Sequence, residues 1–154
     1  MDKLSYCLNE LESKISNSET LNLAISKSTV GWHIEHALLT INVIIDRLKN
    51  SDPNNYTWKF NLPKILVFTI NKIPRGKAQS PGPVQPKNNF TMATLKSHLD
   101  STKRKLAELQ ILKPNNYIEH PVFGKLKLKH TIKFLEIHTQ HHINIINDIL
   151  KPIK

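Results

Sequence analysis

Apolar residues return at helical spacing in five stretches of the chain. Between residues 3 and 16, Leu4, Leu8, Leu11 and Ile15 fall at i, i+4, i+7 and i+11, which predicts a short first helix. The polar run Ser16 to Thr20 interrupts it. Ser28 or Thr29 can cap a second helix from Val30 to about Lys49. That stretch is apolar around much of its circumference, so a central position is expected. Asn50 to Asn55 reads as a loop. Residues 60–73 predict a shorter apolar helix. Their Ile, Val, Phe and Thr would also suit a strand, but no obvious partner strand follows. Pro74 to Asn89 holds four prolines and two glycines and is expected to form an extended loop outside the core. So long a loop in a compact domain is often functional. Thr91 or Thr94 opens a further helix to about Leu112, which Pro114-Asn115-Asn116 stops. His120-Pro121-Val122-Phe123-Gly124-Lys125-Leu126 then reads as a turn-containing connection.

The last stretch, Leu128 to Leu150, contains no Gly or Pro. Leu128, Ile132, Leu135, His138, His142, Ile145 and Ile149 follow one another at steps of three or four, the signature of a buried helix face. The two positions where that stripe lacks a hydrophobe are both histidine. Residues four apart on a helix are neighbours, with Cβ atoms roughly 5–6 Å apart, so both rings can reach one metal ion. His33 and His36 near the start of the second helix could supply a third imidazole if the two helices pack side by side. Three neutral imidazoles suit zinc, nickel or ferrous iron and leave positions open for water or substrate. Such a site can activate a bound water or thiol. The bland alternative is a set of hydrogen-bonded core histidines, the reading preferred for His98 and His130. Two unpaired imidazoles on a buried stripe would cost about 1–3 kcal/mol each.

The pattern sums to an all-α fold: a four-helix bundle with a short extra helix and a long Pro-rich loop, in one domain over residues 1–154. Composition agrees, since four glycines and 6% aromatic residues disfavour a large sheet. No apolar run approaches the ~20 residues needed to span a bilayer. No signal peptide is expected, and a lone cysteine, Cys7, fits a reducing cytoplasm and a non-nucleophilic role. The net charge of +10 suggests an anionic partner. Zinc-finger spacing, an RNA-binding sheet signature and a dense Arg cluster are all missing, which disfavours nucleic acid.

Trp32-His33-Ile34-Glu35-His36-Ala37, followed late in the chain by His138-x-x-His141-His142, resembles the DinB/YfiT-like superfamily of metal-dependent enzymes. His120-Pro121-x-Phe123-Gly124-x-Leu126 looks like an uncharacterised branch of it. The resemblance covers essentially the whole chain and implies the same bundle. It also implies a divalent metal, often zinc or nickel, held by one histidine of the second helix and an H-x-x-x-H pair of the last. The matching residues are His36, His138 and His142, with His33 an alternative on the second helix. Glu35 and His141 are candidates to orient a ligand, or to face solvent. Some members conjugate low-molecular-weight thiols, and others resemble hydrolases or isomerases.

By chemical type, His120 could act as general acid or base, or make a structural hydrogen bond in its turn. Arg75 and Lys77 could bind an anionic substrate group, or be a solvated basic loop. Three functions follow: a metal-dependent transferase or hydrolase acting on a small molecule, a metal- or ligand-binding bundle without turnover, and an interaction domain with a hydrogen-bonded histidine core. A homodimer is admitted by all three.

Overall fold

The computed structural model describes residues 2–76, 82–87 and 90–152. Five α-helices are seen among them: α1 (Asp2–Glu12), α2 (Val30–Lys49), α3 (Leu62–Ile70), α4 (Met92–Lys105) and α5 (Leu128–Ile149). Single 3₁₀ turns follow α1 and precede α3, and a longer one, Leu106–Ile111, continues α4. The first helix is thus shorter than its apolar spacing predicts, ending at Glu12 before a 3₁₀ turn that buries Ile15.

The second helix begins and ends where expected. Thr29 caps it by accepting from the Trp32 N–H at 3.2 Å. It sits centrally, with α4 on one side and α5 on the other, while α1 lies across both. Val30, Ile34, Ala37, Leu38, Ile41, Ile45 and Leu48 are fully buried along it. That burial explains why its apolar positions do not form a narrow stripe. Thr91 opens α4 through a capping box with Thr94. Residues 62–70 are helical, capped by Asn61 and closed by Asn71 at φ 53°, a left-handed conformation that asparagine tolerates.

Two features depart from expectation. The connection before α5 is a hairpin, β1 (Tyr117–His120) pairing antiparallel with β2 (Gly124–Lys127). Its three-residue loop, Pro121 to Phe123, leads into Gly124 at φ 65°. Asn116, buried just before β1, donates from Nδ2 to the Leu48 and Ser51 carbonyls at 3.0 and 3.2 Å. The Leu48 carbonyl also accepts from the Ser51 N–H and hydroxyl, so Asn116 adds a further donor there and ties the start of the hairpin to the end of α2. The second departure is in the Pro-rich loop, expected to stay outside the core. Its 3₁₀ turn Gly82–Val84 packs on α2 and buries Val84. No helix among the described residues is long and apolar enough to cross a membrane.

Candidate metal centre

His33 and His36 sit in the first two turns of α2, and His138, His141 and His142 sit mid-way along α5, the helix packed directly against it. One ring nitrogen each from His36, His138 and His142 lies within 4.8 Å of the others. His36 Nε2 and His138 Nε2 are 3.3 Å apart. Two nitrogens bound tetrahedrally to zinc at ~2.05 Å would stand roughly 3.3 Å from each other.

Each ring is held differently. His36 Nδ1 donates to the Val84 carbonyl at 2.7 Å, which makes Nε2 the lone-pair nitrogen. The Trp32 indole stacks on the same ring, with centroids 5.1 Å apart and planes 12° from parallel. His142 Nδ1 meets His33 Nδ1 at 3.0 Å, and His33 Nε2 meets Ser26 Oγ at 2.9 Å. Two such nitrogens share one proton. With it on His142, the His33 proton goes to Ser26 and the His142 Nε2 lone pair is left free. His138 Nδ1 is buried with no hydrogen-bond partner, so packing against Phe134 and His142 sets that ring.

All these imidazoles are kept neutral. Burial pushes His138 and His142 well below the ordinary histidine value, and the neighbouring histidines add to the effect. His33 is pushed down to about 4 by burial and then by His36. His36 is lowered by burial, against which its bond to Val84 acts. Neutral imidazole is the form that binds a metal, and two lone pairs directed at one point repel unless a cation or proton lies between them. The donor set therefore fits a borderline divalent ion and not magnesium or calcium, which take oxygen ligands.

The chain matches the family model of the DinB superfamily over residues 18–146. It belongs to the DinB superfamily. No curated protein and no solved structure gives a significant match.

Of the two α2 histidines of this DinB protein, His36 lies in the cluster and His33 meets His142 from behind. His141 lies edge-on to His142. Glu35 does not reach the cluster. It pairs with His98 of α4 at 2.9 Å, and His98 Nε2 takes a 2.7 Å bond from Asn42. His98 is thus hydrogen-bonded as expected but half-buried and not in the core, whereas His130 is exposed beside Phe68.

His120 stands one ring away from the cluster. It stacks on Phe123 and meets Phe134 at 4.7 Å, and Phe134 touches His138. Its Nδ1 accepts from the Val122 and Phe123 N–H groups, both at 3.2 Å, so it does make the structural bond of the turn. Arg75 is ion-paired to Asp148 of α5 at 2.7 Å. Lys77 lies outside the described residues. The Val84 carbonyl, Ser26 and the stacking role of Trp32 were not foreseen. A backbone acceptor leaves no trace in sequence, and Trp32 showed only as part of the histidine motif.

Proposed function

We propose that this DinB-superfamily protein is a divalent-metal-dependent enzyme that acts on a small molecule, either transferring a thiol or hydrolysing an ester or amide. The observation that supports it best is the convergence of His36, His138 and His142, all neutral and all buried or half-buried, from two helices in direct contact. His36, oriented by Val84, and His142, backed by His33, would hold a zinc, nickel or iron ion together with His138. When bound, such an ion would act as a Lewis acid that lowers the pKa of a thiol or water at an open position.

The protein's own groups would do the rest. His120, neutral at physiological pH with Nδ1 accepting from the turn, carries its proton on Nε2 and would donate a hydrogen bond from there to a substrate or leaving group. Arg75 bears electrostatically on His33 and His141, and an anionic substrate group would exchange with Asp148 for its guanidinium. Trp32 and Phe134 wall the cluster with apolar surface.

Elemental analysis of purified protein tests the metal assignment. About one transition-metal ion per chain is expected, lost in His138→Ala and His142→Ala and kept in His98→Ala. Full occupancy in the His138→Ala/His142→Ala double variant would refute the site. Turnover is tested by screening small thiols with electrophiles, and esters and amides, with metal-loaded and metal-free protein. Tight ligand binding without turnover by the loaded protein would favour a non-catalytic binding bundle.

A further inference from the structure

Charge is unevenly spread along this chain. From Pro53 to Leu99 there is no Asp or Glu, while Lys59, Lys64, Lys72, Arg75, Lys77, Lys87 and Lys96 fall within the same span. This all-cationic segment also carries the most exposed apolar surface. Trp58 and Phe60, on the non-helical segment before α3, are 69% and 67% exposed.

α3 itself is apolar on the wrong side for a core helix. At 100° per residue, Ile65, Leu62, Leu66 and Ile70 share an arc of roughly 140°, and all four are exposed. The opposite side, toward the body, carries Val67 and Phe68 with Lys64 between them. The hairpin extends the surface, since the Val122 carbonyl accepts from Asn61 Nδ2 at 2.9 Å and Val122 is itself exposed. Two more cations flank it: the Lys125 and Lys127 ammonium groups lie 4.9 and 4.5 Å from the Tyr117 and Tyr56 ring centres. Glu119, paired in register with Lys125, is the acidic residue of the hairpin.

We infer that α3 and the Trp58–Phe60 segment form a docking surface for the anionic phospholipid face of a membrane. Exposed apolar side chains on one side of α3 and on the segment before it, in a stretch whose full charges are all cationic, match a hydrocarbon boundary beneath negatively charged headgroups. Lysine stems can lie along the apolar layer while their ammonium groups reach the headgroups, and tryptophan favours that same interfacial depth. A second copy of this chain is the poorer occupant, because pairing would set one surface on which lysines outnumber Glu119 against another of the same sign. A protein groove would take a narrow stripe of helix anchors and leave Trp58 and Phe60 unexplained. The surface does not use the histidine cluster, so it stands independently of the proposed chemistry.

The full chain is sedimented with vesicles of phosphatidylcholine alone and of phosphatidylcholine mixed with phosphatidylglycerol. Binding to the mixed vesicles is expected, with little to the neutral ones and weakening as salt rises. Leu66→Ser/Ile70→Ser, at exposed positions, should reduce that binding by about tenfold or more, with helical content, melting temperature and metal content unchanged. Trp58 should report transfer to an apolar medium as a blue-shifted emission that is lost in Trp58→Phe. Three results overturn the proposal. One is the absence of binding to either vesicle. Another is binding that salt abolishes but Leu66→Ser/Ile70→Ser does not weaken, which would reflect overall charge alone. The third is self-association that depends on Leu66 without vesicle binding, which would make a second copy the occupant.

Discussion

His33 shows how much a residue outside the donor set can matter to it. It cannot join His36 and His138, but at 3.0 Å from His142 it controls which nitrogen of that ring carries the proton. Removing such a partner commonly costs 10- to 100-fold in metal affinity. His33→Leu should therefore weaken metal binding by about that factor in a chelator competition, while His33→Gln, which keeps a hydrogen-bonding group, restores part of it. A merely structural role would lower the melting temperature of metal-free protein and leave the affinity unchanged. His120 makes a prediction of a different kind. Burial holds it at about 4 in the folded protein, below the usual histidine value of 6.5. The unfolded chain takes up this proton first as pH falls, so its contribution to stability is complete above about pH 6.5 and lost on the way down to about pH 4. Metal-free His120→Gln should show a shallower fall in melting temperature between pH 7 and 5 than the parent, measured calorimetrically.

At the scale of elements, a buried amide is among the ties that hold the hairpin to the end of α2. Asn116→Ala would remove the side-chain donor to the Ser51 carbonyl and one of several donors to that of Leu48, and about 1–3 kcal/mol of stability should go with it, read from urea unfolding. Element scale is also where reading from sequence succeeded and failed most clearly. α2 and α5 were legible because long helices repeat their pattern often enough to be recognised, and the histidine interruptions of α5 stood out against that repeat. The His138/His142 pair followed from spacing alone; its meeting with α2 was conditional on the two helices packing side by side, and His36 was singled out by the family resemblance. The hairpin was not legible, because each four-residue strand buries one hydrophobe, Ile118 or Leu126, too few to show a period of two. The burial of Val84 was hidden for another reason: its function lies in a carbonyl that every residue possesses. Arg75 looked like a free cation because Asp148, its partner, is 73 residues away in sequence.

For the whole molecule, the decisive feature is that His36 and His138 meet across 102 residues of chain. A donor set divided this way does not exist until α2 and α5 have docked, and closing so long a loop is among the slower events in folding. An ion that needs all three rings gains nothing from a chain still searching for that contact. It should consequently act as a latch and not as a template: refolding would proceed at the same rate with or without it, and escape from the native state would slow. With free metal at 100 times its dissociation constant, unfolding should slow by roughly 100-fold if the barrier state has already released the ion. Stopped-flow traces in urea would show this as one arm of the chevron displaced and the other unmoved. Resistance to proteolysis and heat inactivation would then track metal supply even under conditions where the protein folds equally well without it.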